Sequence, residues 1–142
     1  MAEAFPCLHV CTTCRAGQPL AEGATPPGAY LHAEIARRLA SGPALVELRE
    51  VVCLAACERG CTAAISMAGK WGYLLGGLSL GDAADLLIYA AAYGASKTGT
   101  VLPSRRPASL KSAIVARFPA FDFIQPELPA SPELPASLEL SA

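Results

Sequence analysis

No stretch of this 142-residue chain is apolar for long enough to cross a bilayer. The longest run, Leu86 to Ala95, is about half a membrane span and follows Asp82 and Asp85 closely. The mean hydropathy of +0.39 comes instead from Ala and Leu spread along the sequence. The opening residues, Met1-Ala2-Glu3-Ala4-Phe5-Pro6, lack the basic segment and long apolar segment of a secretory signal. The expectation is a cytoplasmic protein, whose thiols stay reduced.

A basic stripe is also missing. Eleven Lys and Arg against twelve Asp and Glu leave a net charge of −1, and every Lys and Arg lies before residue 118. The body is therefore mildly basic, while the tail carries Glu127, Glu133 and Glu139. That balance suits an acidic partner surface and falls far short of a nucleic-acid binder. No Ser-His-Asp set and no paired carboxylates stand out for hydrolysis. Gly76-Gly77 has no Lys-Ser/Thr beside it, so it reads as a turn and not a phosphate loop.

What the chain does have is cysteine. Six are present, and four fall into two tight pairs. Cys11 and Cys14 form C-x2-C at the end of the apolar run Leu8-His9-Val10, and Cys53 and Cys57 form C-x3-C after Val51-Val52. In a cytoplasmic chain, clustered cysteines read as metal-binding or catalytic rather than as structural disulfides. Two pairs at strand ends can be brought together by a sheet, and four converging thiolates suit an iron–sulfur cluster or a tetrahedral zinc ion. A redox-active dithiol at Cys11 and Cys14 is a third reading, but it leaves the second pair without a role.

The pattern along the chain is mixed α/β. Strands are expected at 6–12, 44–52, 63–67 and 71–75, the last two as a hairpin across Ala68-Gly69-Lys70. Leu31, Ile35 and Leu39 repeat every four residues, which predicts a helix from Gly28 to Ala40, stopped by Ser41-Gly42-Pro43. Ser79, with Asp82 three residues on, can cap a second helix that turns Leu86, Leu87 and Ala90 inward and ends near Gly94. Pro107 suits the first turn of a third helix reaching about Phe118. From Pro126 the sequence repeats Glu-Leu-Pro-Ala-Ser, a composition of disordered segments. One domain over 1–118 with a disordered tail over 119–142 follows, and that is length enough to bury a core without disulfides.

A strand ending in Cys, a helix, a strand ending in Cys-x3-Cys, a hairpin and a helix together resemble the thioredoxin-like [2Fe-2S] ferredoxins. Val52-Cys53-Leu54-Ala55-Ala56-Cys57 is similar to that family's second ligand pair, usually Cys-Leu-Gly-x-Cys. The motifs Val10-Cys11-Thr12-Thr13-Cys14-Arg15 and Cys57-Glu58-Arg59-Gly60-Cys61, with the segment Gly99 to Pro107, also resemble a bacterial family of predicted metal-binding proteins of unknown function. The resemblance implies a thioredoxin-like fold with a mixed four-stranded sheet flanked by helices. It also implies a [2Fe-2S] cluster, one-electron transfer to a redox partner protein, and an association with cobalamin biosynthesis.

On this reading Cys11 and Cys14 hold one iron and Cys53 and Cys57 the other, with Cys61 as a substitute for one of them. Zinc held by the same residues is the alternative cofactor, in a structural or interaction module. Arg15 and Arg59 follow the two pairs closely and would stabilise the reduced, more negative state. Trp71, after the hairpin turn, would shield the cluster from water. Cys7 lies four residues before Cys11, roughly 13 Å along a strand, and is expected to be a packing residue. His9 and His32 are not expected to be ligands.

Overall fold

The computed structural model describes residues 5–120 and residue 133. The expected tail lies, apart from its first two residues and Glu133, outside the described residues.

Alternation sets the first strand. In β1 (Cys7–Cys11), Leu8 and Val10 turn to one face and are fully buried, while Cys7 and His9 turn to the other. The chain then crosses through α1 (Pro27–Ala40), with proline in its first turn and Leu31 and Ile35 buried. It returns as β2 (Glu47–Val51), which lies parallel to β1 in the register Cys7↔Glu47 through Cys11↔Val51. β3 (Ala63–Ser66) runs antiparallel to β1 on its other side, and β4 (Gly72–Leu75) completes the hairpin.

Ser79 then closes a capping box. Its backbone N–H and hydroxyl donate to Asp82 Oδ2 at 2.8 and 3.2 Å, over a single 3-10 turn, Leu80–Asp82. That turn leads into α2 (Ala83–Ala95), whose Leu86, Leu87 and Ala90 are buried as the pattern required.

Leu8, Val10, Ile65, Tyr73 and Leu75 of the sheet join Leu31 and Ile35 of α1 and Leu86, Tyr89, Ala90 and Tyr93 of α2 in one core. Each such leucine or isoleucine, fully buried, stabilises the fold by about 2 kcal/mol. The fold is mixed α/β with its helices packed on the sheet, as expected.

The sheet has five strands, not four. Its order is β2-β1-β3-β4-β5, and the fifth strand, β5 (Ile114–Phe118), pairs antiparallel with β4. The helix expected over 107–118 does not form. Pro107 opens only a 3-10 turn, Ala108–Leu110. The physical reason is pairing: β4 would otherwise present bare backbone, and Ile114-Val115 are β-branched residues that suit the pleat better than a helix.

Candidate metal centre

Parallel pairing of β1 and β2 sends both chains out of the sheet at the same end. The loop after Cys11 and the loop after Val51 therefore begin side by side. Two threonines tie them together. The Thr12 backbone N–H donates to the Val51 carbonyl at 2.9 Å, and its hydroxyl reaches the same oxygen at 3.3 Å. The Thr13 hydroxyl donates to the Val52 carbonyl. These residues lie between the two cysteines of C-x2-C, so the first pair is fastened to the base of the second.

The first loop is also pressed against α1. The Gly28 N–H donates to the Cys14 carbonyl at 3.0 Å. A β-carbon at position 28 would collide with the Cys11 carbonyl oxygen. On the other side Gly60 leaves room for Cys14. A β-carbon there would stand 3.3 Å from Cys14 Sγ, tighter than side chains normally accept.

The four expected ligands differ in environment. Cys11 and Cys14 are buried, 1% and 4% exposed, while Cys53 and Cys57 are exposed. Burial alone would push the Cys11 thiol up. Hydrogen bonding to Thr13, Cys14 and the backbone of Thr13 and Leu54 outweighs it, so Cys11 lies below its ordinary value. The Leu54 contact places Cys11 under the second loop. Cys14 is pushed up, chiefly by burial, despite its hydroxyl partner Thr62 Oγ1 at 3.3 Å.

In the second loop Cys53 Sγ and Cys57 Sγ are 3.7 Å apart. The Cys53 sulfur accepts the Ala55 N–H at 3.2 Å. Ala55 makes that contact from the left-handed region, φ +59°, at the place where the ferredoxin motif carries glycine. The Cys57 thiol is raised, first by its hydrogen bond to Cys53.

A hollow of about 230 Å³ lies between the loops, lined by Thr13, Cys14, Arg15, Gly17, Gln18 and Cys57. Cys14 and Cys57 thus face a common space with Arg15 on its wall. Arg59 lines a neighbouring hollow with Cys57 and Glu58. Both arginines are exposed. Among the described residues no three His, Cys, Asp or Glu side chains close around one point, so the cysteines stand as two pairs.

The remaining candidates fall elsewhere. Cys61 is 1% exposed, and its backbone exchanges hydrogen bonds with Leu78 at 3.3 and 3.0 Å. Burial, then the nearby Cys14 and Cys11, push its thiol up to about 11. Cys7 is half-buried at the far end of β1, with its sulfur 3.7 Å from His9 Nε2. His32 lies on α1.

Trp71 does not shield this site, contrary to expectation. It precedes Gly72, which pairs with Phe118 at the opposite end of the sheet, and Arg117 stacks on its ring at 4.0 Å. The hairpin turn points away from the cysteine loops because β3 leaves them and β4 returns to them. A groove of about 1010 Å³ is at that far end too, lined by Phe5, Cys7, Met67 and Phe118 among others.

Sequence reasoning missed Thr12, Thr13, Thr62, Gly28 and Ala55. Two threonines inside a cysteine pair, and a glycine straight after Pro26-Pro27, were the available signals.

The fold is thioredoxin-like, a mixed sheet with its helices packed on it. Two solved structures of a thioredoxin-like [2Fe-2S] ferredoxin from Aquifex aeolicus are similar to it. One has a TM-score of 0.53 at 13% identity, covering 85% of this chain and 100% of that one. The other, the wild-type protein, has a TM-score of 0.53 at 12% identity, covering 80% and 99%. By sequence, residues 8–120 match the model of the family described as "Protein of unknown function (DUF1636)", and the chain belongs to that family. No curated protein matches it.

Proposed function

We propose that the protein is a small ferredoxin-like electron carrier holding a [2Fe-2S] cluster. The observation that carries this reading is the 3.7 Å separation of Cys53 Sγ and Cys57 Sγ. Two thiolates bonded at about 2.3 Å to one tetrahedral metal have sulfurs about 3.8 Å apart. The second pair thus stands at the spacing of one metal's two ligands, with Cys11 beneath its loop and Cys14 across the shared hollow.

A cluster of this kind supplies one-electron transfer at a low potential. Cys53 and Cys57 would hold one iron and Cys11 and Cys14 the other. The Ala55 N–H, already on the Cys53 sulfur, would stabilise added negative charge there, as would the guanidinium groups of Arg15 and Arg59 on the rim. The carrier role, rather than an enzyme, is supported by the likeness of the fold to the thioredoxin-like ferredoxins. The partner would be a reductase or biosynthetic enzyme with an acidic docking surface, and cobalamin biosynthesis is the process that the family resemblance favours.

Iron, acid-labile sulfide and a visible spectrum on anaerobically purified protein test the reading. About two irons and two sulfides per chain, with a brown-red colour, are expected. A colourless protein holding one zinc would replace it with a zinc-stabilised module. Voltammetry should then show a reversible one-electron wave near roughly −400 mV, shifted upward by the arginines. A redox-silent protein would remove the carrier role.

A further inference from the structure

Among the described residues, Thr62 carries the one buried hydroxyl outside the tyrosines. It stands between Cys61, whose backbone is held to Leu78 by two hydrogen bonds, and Ala63, the first residue of β3. Its carbonyl accepts the Cys11 N–H at 3.1 Å, and its hydroxyl lies 3.3 Å from Cys14 Sγ. Thr62 thus meets both cysteines of the first pair, one through its backbone and the other through its side chain. A β-branched residue has few side-chain rotamers open to it, so the hydroxyl is aimed.

The other hydroxyl beside a cysteine sulfur is engaged differently. Thr13 Oγ1 is 3.5 Å from Cys11 Sγ, but its proton goes to the Val52 carbonyl. The Thr62 hydroxyl has no such acceptor. Cys14 Sγ is its one hydrogen-bond partner among the described residues, and its burial keeps bulk water away.

Resting on the cluster reading above, we infer that the Thr62 hydroxyl donates to the Cys14 sulfur and raises the reduction potential of the centre. A thiolate bound to iron carries no proton, so in that pair only the threonine can donate. Reduction adds one electron, delivered by the redox partner, with no bond made or broken. Part of the added negative charge falls on the ligand sulfurs, where a donated hydrogen bond holds it more strongly than before. The hydrogen bond therefore favours the reduced state over the oxidised one. In a buried setting water does not compete for it, so its effect is kept. Thr62 acts only through Cys14 and is a positioning residue, which tunes the centre without holding it.

The test is voltammetry and visible absorption of the full-length, cluster-loaded protein, with Thr62→Val, Thr62→Ala and Thr62→Ser beside the wild type. Valine and alanine lack the hydroxyl, one keeping its bulk and the other not, while serine keeps the hydroxyl. Thr62→Val and Thr62→Ala should hold as much iron and sulfide as the wild type and show a lower midpoint potential. Their sulfur-to-iron absorption should move to longer wavelength, because sulfur electrons no longer held by a donor are promoted more easily. Thr62→Ser should stay near the wild type in both readouts. A role confined to packing would change the unfolding midpoint and leave the potential where it was.

Valine and alanine proteins that carry the cluster at the wild-type potential would overturn the inference and leave the cluster reading intact. A serine protein with a potential as low as theirs would overturn it too. So would folded valine and alanine proteins without a cluster, since the hydroxyl would then serve to build the site. A wild type without iron and sulfide would remove the cluster reading, and this inference with it.

Discussion

Gly28, at the start of α1, lies against the carbonyl oxygen of Cys11, with no room between them for a side chain. The glycine is what lets the helix and the first cysteine loop share one hydrogen bond, from the Gly28 N–H to the Cys14 carbonyl at 3.0 Å. The obstacle to a larger residue is backbone, which cannot swing away. Gly28→Ala should therefore destabilise the protein by about 3 kcal/mol, at the upper end of overpacking costs. Urea unfolding measures this. A change within about 0.5 kcal/mol, as at ordinary surface sites, would show that the loop gives way freely.

Ala55 presents the opposite case, a side chain where glycine belongs. Its left-handed conformation, φ +59°, costs an alanine about 1 kcal/mol, while the N–H it directs to Cys53 Sγ belongs to the backbone and survives substitution. Ala55→Gly should keep metal and raise stability by about 0.5 kcal/mol, the relief being partly cancelled by the greater freedom of glycine in the unfolded chain. Ala55→Val should lose stability and metal, because a β-branched residue resists positive φ. Thermal unfolding with metal analysis decides. Equal behaviour of the two variants would mean that the loop is not held in this conformation.

Much of this architecture was legible in the residues. The apolar stripe Leu31-Ile35-Leu39 and the alternation in Leu8-His9-Val10 each fixed an element within a residue or two, and the Ser79–Asp82 box marked the 3-10 turn that leads into α2. The two cysteine pairs mark a candidate site because short spacing at strand ends is a local pattern. The fifth strand was hidden because Pro107 is a genuine helix-start residue, and only the bare edge of β4 decides against it. The place of Trp71 was hidden for a similar reason. Four residues from Gly72 to Leu75 suffice to carry the chain across the sheet, so nearness in sequence to the cysteine loop meant distance in space. The roles of Thr12, Thr13 and Gly28 depend on which loops the parallel pair β1–β2 sets side by side, and no local pattern reports that.

Two core tyrosines lead to contrasting expectations. Among the described residues, the Tyr89 hydroxyl is the one fully buried side-chain oxygen or nitrogen without a hydrogen-bond partner. The Tyr93 hydroxyl donates to the Trp71 carbonyl at 2.5 Å. Tyr89→Phe should leave stability unchanged or raise it by up to about 1 kcal/mol, whereas Tyr93→Phe should cost about 1 kcal/mol. Both phenols are raised in the folded state, first by burial, Tyr93 to about 12. Their stabilisation is present in full below pH 10, where the unfolded tyrosines still hold their protons. It fades as pH rises from 10 through 12, because the unfolded state loses its protons first. Unfolding curves across this range should show the fall, and it should be shallower in the Tyr93→Phe protein. A slope unchanged by that substitution would place the alkaline loss elsewhere.

The last prediction separates Cys14 from Cys61. Both are buried, and both lie near Cys11. They differ in what they face. Cys14 lines the same hollow as Cys57, and Gly60 stands aside from its sulfur. Cys61 is pinned by two backbone hydrogen bonds to Leu78 and contributes nothing to that hollow. Removing one of four ligands leaves a metal under-coordinated. Cys11→Ser, Cys14→Ser, Cys53→Ser and Cys57→Ser should therefore each lose most of the bound metal and the visible absorption expected of the cluster. Cys7→Ser and Cys61→Ser should keep both, with Cys61→Ser losing some stability because a hydroxyl replaces a buried thiol. Metal analysis beside the absorption spectrum reads all six. Retention by Cys14→Ser together with loss by Cys61→Ser would transfer the fourth ligand to Cys61, and the first loop would then have to open toward β3 to admit it.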